Sequence, residues 1–360
     1  MVATVQTGTT VLAANAATAT QAITTVVLAN AYVTMTYSAN ETSSGEGSLT
    51  CHLSDVAEIT FARTVSTGAP EITIRWYVVE DPEITVQRGV ADVATDPVNV
   101  TITEVVLANA FTINYTRRSG NNWGADDWCT STLTTTTNLA IGCTGAATGV
   151  TCEWQVVEHP RCNVQRGTLP FGTTDAELTD ALTAVVIGKS LPLFSFVSGD
   201  GTTANIGQKM FRVVLTDAET LTFTREATGQ AMSISWELVE FTDDTRVHYV
   251  PVAFGTGDTS QDDAVPPVAL ARAWPVAPGH KNCGGSNTYA ADDNPGVGMA
   301  TLELTTPINL QSVRALTGSV AATLAAYVVE FPLDPDEMAV VARQLGAIQP
   351  VQMPAQIIAY

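Results

Sequence analysis

The chain has 360 residues, enough for two or more domains, and is strongly acidic, with 36 Asp and Glu against 16 Lys and Arg for a net charge of −20. Only three lysines occur (Lys189, Lys209 and Lys281), so the surface repels phosphate backbones and neither nucleic acid nor a packaged genome is an expected partner. The N-terminal stretch lacks a basic start and its apolar residues are interrupted by Thr, Asn and Gln, so no signal peptide or membrane span is expected there.

Read from the N-terminus, the first marker is Val5-Gln6-Thr7-Gly8, followed by Val26-Val27-Leu28-Ala29-Asn30-Ala31, a Leu53-Ser54 to Arg63 block, and Trp76-Tyr77-Val78-Val79-Glu80. The series restarts at Val86-Gln87-Arg88-Gly89 and closes on Trp154-Gln155-Val156-Val157-Glu158. It restarts at Val164-Gln165-Arg166-Gly167 and closes on Trp236-Glu237-Leu238-Val239-Glu240. A divergent fourth pass opens at Val247-His248-Tyr249-Val250 and closes on Ala326-Tyr327-Val328-Val329-Glu330. Four copies of one unit are expected, at 1–83, 84–161, 162–243 and 244–332, and a docking arm at 333–360. The arm begins with a helix-start pattern, Asp334-Pro335-Asp336-Glu337, and carries Met338, Val341, Leu345, Ile357, Ile358 and Tyr360 as its apolar contacts.

Within a unit the apolar period is two. Ile74, Trp76 and Val78 alternate with Arg75 and Tyr77, which reads as a half-buried strand. The block ending at Arg63 alternates too, and Thr67-Gly68-Ala69 between the two reads as the tip of an antiparallel hairpin. The expected fold is all-β: a tandem array of four small antiparallel sandwich or barrel-like repeats with a short helical or extended C-terminal arm. Trp76, Trp154, Trp236 and Tyr327 are the expected repeat core. Five-residue linkers containing Pro, such as 81–85, predict a semi-rigid rod. Glu80 with Arg88 and Glu158 with Arg166 could pair across those joints, or remain solvated charges.

Six cysteines occur without CxxC spacing, and His280-Lys281-Asn282-Cys283 alone is weak evidence for zinc. Cys143 replaces the Arg of the other copies (Arg63, Arg225, Arg314), and Cys152 replaces Ile74, Ile234 and Leu324. If both lie opposite one another on a hairpin, a Cys143–Cys152 disulfide follows, with a buried thiol at Cys152 as the competing reading. Cys51 and Cys129 lie equally far before their closing Glu and read as equivalent sites, while Cys162 and Cys283 have no assigned partner.

Catalytic signatures such as GxSxG, HExxH and the P-loop are missing from the sequence, and no enzyme, cofactor or metal site is expected. Acidic pairs (Asp126-Asp127, Asp243-Asp244, Asp262-Asp263, Asp292-Asp293) read as solvated loop charge or calcium ligands. The loop Asn121, Asn122, Trp123, Asp126, Asp127 and Trp128 has the groups either to stack on a sugar or to fill a subunit interface. The repeat pattern Val-Gln-Arg-Gly, Val-Val-Leu, Leu-Thr…Arg and Trp-Gln-Val-Val-Glu resembles β-repeat modules in structural proteins of tailed bacteriophages, over residues 1 to about 330. That resemblance implies a virion surface protein (fibre, collar appendage or capsid decoration). Its partners would be copies of itself, a trimer favoured, other virion proteins and a host-surface glycan. A bacterial adhesin or surface-layer protein is the alternative, and a carbohydrate-active enzyme a third reading.

Overall fold

The computed structural model describes residues 3–39, 44–118, 127–144, 149–198, 206–284, 297–318 and 320–333. It is nearly all β, built from eight small antiparallel sheets, two per unit. Unit 1 contains β1 (Thr4–Leu12), β2 (Thr18–Ala22), β3 (Ala31–Ala39), β4 (Thr50–Asp55), β5 (Glu58–Ala62) and β6 (Ile72–Glu80). Strand order β1-β6-β3 makes one sheet and β2-β5-β4 the other. Unit 2 repeats this with β7 (Thr85–Asp92), β8 (Val98–Thr101), β9 (Ala110–Arg118), β10 (Thr130–Thr135), β11 (Asn138–Gly142) and β12 (Val150–Glu158). Unit 3 has β13 (Cys162–Phe171), β14 (Glu177–Ala181), β15 (Ser190–Ser198), β16 (Arg212–Asp217), β17 (Thr220–Thr224) and β18 (Met232–Phe241). Unit 4 has β19 (Arg246–Phe254), β20 (Ser260–Ala264), β21 (Ala273–Val276), β22 (His280–Gly284), β23 (Thr301–Thr306), β24 (Asn309–Val313) and β25 (Ala321–Glu330), with β22 added to β25.

The expected hairpin between the Arg63 block and the Trp block does not form. β5 turns back on β4, whereas β6 pairs with β1 and β3 in the opposite sheet. Gly68 does take positive φ, as do Gly229 and Gly318. The turn therefore has the chemistry expected of it but carries the chain across the sandwich, and a glycine turn reads the same in either case.

The units do not form a rod. They close into a ring around one shared core, to which all four contribute equivalent residues: Val79, Val157, Val239 and Val329 from the closing strands, and Tyr32, Phe111, Leu191 and Trp274 from the third strands. The closing strand is buried on both faces. Trp76 and Val78 pack inside unit 1, while Tyr77 and Val79 turn toward the other units. A strand solvated on one side has no use for Tyr77 and Val79 there, so the second apolar face is what bends the stiff linkers into a ring. β7 packs on the 3-10 turn Leu28–Asn30 of unit 1, β13 and β19 do likewise on the units before them, and β1 packs on Leu270–Arg272 of unit 4.

Each letter of the repeated motif has a place in this arrangement. The Gln of Val-Gln-Arg-Gly clamps a threonine backbone. Gln6, Gln87 and Gln165 each donate to the carbonyl and accept from the N–H of Thr24, Thr103 and Thr183 respectively. Arg88 and Arg166 reach back to carbonyls of the preceding unit, Leu28 and Ala31 or Leu107 and Ala110. The closing glutamates Glu80, Glu158, Glu240 and Glu330 accept the N–H of Val27, Val106, Val186 and Ala269. Arg88 and Arg166 thus cross the joint while Glu80 and Glu158 hold their own unit, each binding backbone instead of the other. The Gly leaves room for the Trp ring: a Cβ at Gly8, Gly89 or Gly167 would lie 2.4–2.6 Å from Trp76, Trp154 or Trp236.

Arg63, Arg225 and Arg314, 1–2% exposed, are internal clasps. Arg225 donates to the carbonyls of Asp175, Gln208, Gln230 and Gly172, gathering three chain segments, and Arg63 and Arg314 do the same in their units. Unit 2 carries Cys143 there, and Asp96 takes the Cys143 N–H instead.

Candidate functional site

Residues that follow the four closing glutamates meet where the linkers converge: Asp81, His159, Phe241 and Phe331, each 1–3% exposed. The His159 ring stands edge-on to Phe241 (centroids 5.6 Å apart) and tilted against Phe331 at 6.3 Å. Its Nδ1 accepts the Arg161 N–H at 3.1 Å, which assigns the proton of the neutral ring to Nε2, 3.9 Å from the Asp81 carboxylate. Arg161 bridges Asp81, Glu83 and Asp243. Burial pushes the imidazole down to about 4, overriding the attraction of Asp81. This layer closes one end of the axis with a neutral histidine between two phenylalanines.

Beyond it lies a layer of rings, with Tyr32 edge-on to Phe111 at 6.3 Å and to Trp274 at 6.4 Å. Further along the axis a cavity of about 250 Å³ opens, lined by the third strands of all four units, β3, β9, β15 and β21. Tyr115, Phe194 and Phe196 form much of its apolar wall, with Ser195, Ser235 and Glu237 among its polar groups. The Glu237 carboxylate accepts the Thr112 N–H at 2.6 Å and the Thr112 hydroxyl at 3.0 Å, and faces Arg166 Nε at 3.5 Å. Burial nevertheless raises it above the usual carboxylate range, with Arg166 and Thr112 pulling the other way. A second cavity of about 170 Å³ shares Tyr115 and Phe196 and continues to Trp128 and Met299.

The residue after each closing Trp position grips the preceding unit, and the order is cyclic. Gln155 binds both backbone groups of Val33, Glu237 binds Thr112, the Leu215 N–H reaches the Tyr327 hydroxyl, and the Tyr77 hydroxyl donates to the Leu302 carbonyl. Just before each closing Trp position, every joint differs. Arg75 pairs with Glu303 at 2.9 Å, Glu153 with His52 at 2.6 Å, and Ser235 with Thr132 at 2.8 Å, while Ala325 and Val214 are apolar. Burial would raise Glu153, but His52, Arg117 and Thr50 hold it below its ordinary value. These joint residues were invisible to a reading of one unit at a time. Their signal is variation at a fixed place in an otherwise constant strand.

The Trp of the first three copies sits in its own sandwich core at 4–8% exposure. Tyr327 does not: its register matches Tyr77, it joins the central core, and Ala326 holds the Trp position. No disulfide joins Cys143 and Cys152. Cys143 follows β11 of one sheet and Cys152 lies on β12 of the other, and both sit with Cys129 in the core of unit 2, where the Cys143 contact lowers the Cys129 thiol but the Cys152 contact and burial together raise it well above its ordinary value. Cys51 and Cys129 are not equivalent. Thr50 pairs with Ala62 and Thr130 with Gly142, so Cys51 matches Ser131; the turn before β12 is two residues shorter and shifts the count.

Asp127 is buried against Arg118 at 3.3 Å, and Trp128 packs on Phe196 of unit 3 at 5.2 Å, with Lys209 over its ring. Trp128 thus fills a joint between units of the same chain. Asn121, Asn122, Trp123 and Asp126 lie outside the described residues, as do Asp292-Asp293 and the arm residues Met338, Val341, Leu345, Ile357, Ile358 and Tyr360. Asp243 and Asp244 face Arg161 and Lys189, and Asp262-Asp263 lie on β20 instead of in a loop. Among the described residues, no group of three or more His, Cys, Asp or Glu could hold a metal, and no helix is long and apolar enough to cross a membrane. No protein-family model and no curated protein matches this chain.

Proposed function

We propose that the protein is a structural component of a tailed-phage virion, an oligomeric fibre, appendage or decoration element carried on the particle surface. The observation that carries this reading is where the repeated residues go. The Val, Gln, Arg and Gly of the opening motif, the Trp, Val and Glu of the closing one, and the buried Arg each pack a unit or bind it to the next. A repeat spent wholly on packing and joints suits a part whose task is to hold shape. The phage assignment within that class rests on the motif resemblance and on an acidic surface that disfavours contact with a packaged genome. Labelling purified particles with antibody to this chain, followed by electron microscopy, should place it outside the capsid wall in regular copy number. Particles that lack the chain, with the protein found instead in the host envelope, would favour the adhesin reading.

A further inference from the structure

We propose that the axial pocket receives apolar residues of segment 334–360, Ile357, Ile358 and Tyr360 foremost, from a second copy of the chain, so that copies join head to tail along the ring axis. The inference rests on the structural, self-associating role proposed above.

The first support is the pocket itself. Among the described residues its walls are mostly apolar, no Lys or Arg lines it, and its one carboxylate, Glu237, is already engaged by Thr112 and Arg166. Thr34 also lines it, with a hydroxyl that has no hydrogen-bond partner among the described residues. An anion gains nothing there, and an uncharged apolar segment gains burial. The chain has such a segment: residues 344–360 contain no charged side chain, on a protein of net charge −20.

The second support is direction. β6 ends at Glu80 beside the linker layer, and the pocket starts one residue in from that end, at Tyr32 and Trp274, and runs along the inner strands away from it to Thr36, Tyr115 and Phe196. Phe331 is fixed in the linker layer and Leu333 is 38% exposed, so the chain leaves the ring at the end away from its own pocket. A nine-residue strand spans about 30 Å, whereas residues 334–360 can extend to roughly 90 Å. That reach takes the segment into the pocket of a copy stacked coaxially below. Reaching its own pocket would require it to run back along the outside of the ring. A contact from one face of a copy to the opposite face of the next is heterologous and adds copies in series.

The test uses full-length chains in sedimentation velocity. Wild type should show a concentration-dependent ladder of species. Thr34→Trp and Ala277→Trp, each filling the pocket, and the double change Ile357→Asp/Ile358→Asp should each lose every species above the monomer while keeping wild-type circular dichroism; two pocket variants guard against one that misfolds. Mixing a pocket-filled chain with the tail-charged chain should restore a dimer and nothing larger, because each supplies the half the other lacks. A wild type that stays monomeric up to its solubility limit overturns the inference, as does a ladder that survives both pocket variants. Either result leaves particle membership to be decided separately by imaging.

Discussion

At position 326 an alanine stands where three units carry tryptophan, and across the strand pair Val250 stands where they carry glycine. The exchange is complementary: the bulk removed from one strand is restored on its neighbour. Adding a ring alone overpacks the site, so Ala326→Trp should lower stability by about 1–3 kcal/mol in denaturant unfolding. Adding Val250→Gly should recover much of that loss, with a coupling of about 0.5–3 kcal/mol. The indole N–H gives a further reason. Trp236 donates to Asp180 at 2.8 Å, and Trp76 donates to Thr10. Asp263 occupies the place of Asp180 in unit 4 and has a buried oxygen without a donor among the described residues; burial and Asp262 raise its carboxyl. The double variant returns an indole donor to it. Unit 2 shows the converse, with Trp154 kept and Val100 in the acceptor's place, leaving Trp154 Nε1 without an acceptor among the described residues. The substitutions at 250 and 326 were legible in the sequence, but their compensation was not, because it depends on which residues face each other across two strands.

For a single sandwich, the buried arginine matters as much as the apolar core. Arg225→Ala strips donors from four carbonyls; at about 1 kcal/mol or more for each group left buried, the loss should be at least about 4 kcal/mol. Arg225→Lys should recover little, since an ammonium cannot span the four acceptors of a planar fork. Thermal melts of the three chains check the order. The strands themselves were legible from period-two alternation in nearly every block, as at Ile74, Trp76 and Val78. Their pairing was not: Gly68 marks a turn without saying whether the next strand returns to the same sheet or crosses to the other. From that one ambiguity came the mistaken hairpin and the Cys143–Cys152 bond, while the false equivalence of Cys51 with Cys129 came from counting across a turn that is two residues shorter in unit 2.

Across the whole ring, two properties can be tested. The first is acid sensitivity. His159 titrates at about 4 in the folded chain against 6.5 when unfolded, so the unfolded chain binds more protons between those values. The neutral ring's contribution is complete above about pH 6.5 and is lost as pH falls toward 4, up to roughly 3 kcal/mol. His159→Phe, matching Phe241 and Phe331, should narrow the gap in melting temperature between pH 7 and pH 4.5; an unchanged gap would place the acid response elsewhere, with Glu153 the first group to examine. The second property is order. Because the four joints carry different pairs, fragments 1–161 and 162–360 expressed together should copurify one to one, making the joints between units 2 and 3 and between units 4 and 1. A stable ring formed by fragment 1–161 alone would show that joint chemistry does not set the order. The ring was the least legible feature, although Val79 and its three counterparts, apolar on a face that needed no cover within one unit, carried its signal.

Ala3 and Phe331 lie in the same core, so the entry and exit of the chain meet where a fifth unit would otherwise begin. A linear array can lengthen or shorten by one module and keep its ends. A closed one cannot, and the repeat count here is a geometric constant. Unequal recombination between stretches as similar as Val26–Ala31 and Val105–Ala110 would yield three or five units, with a gap or a surplus at the seam and wrongly matched neighbours beside it. Divergence of the joint pairs should destabilise such products, so folding itself would select against a change in the number of repeats within the gene.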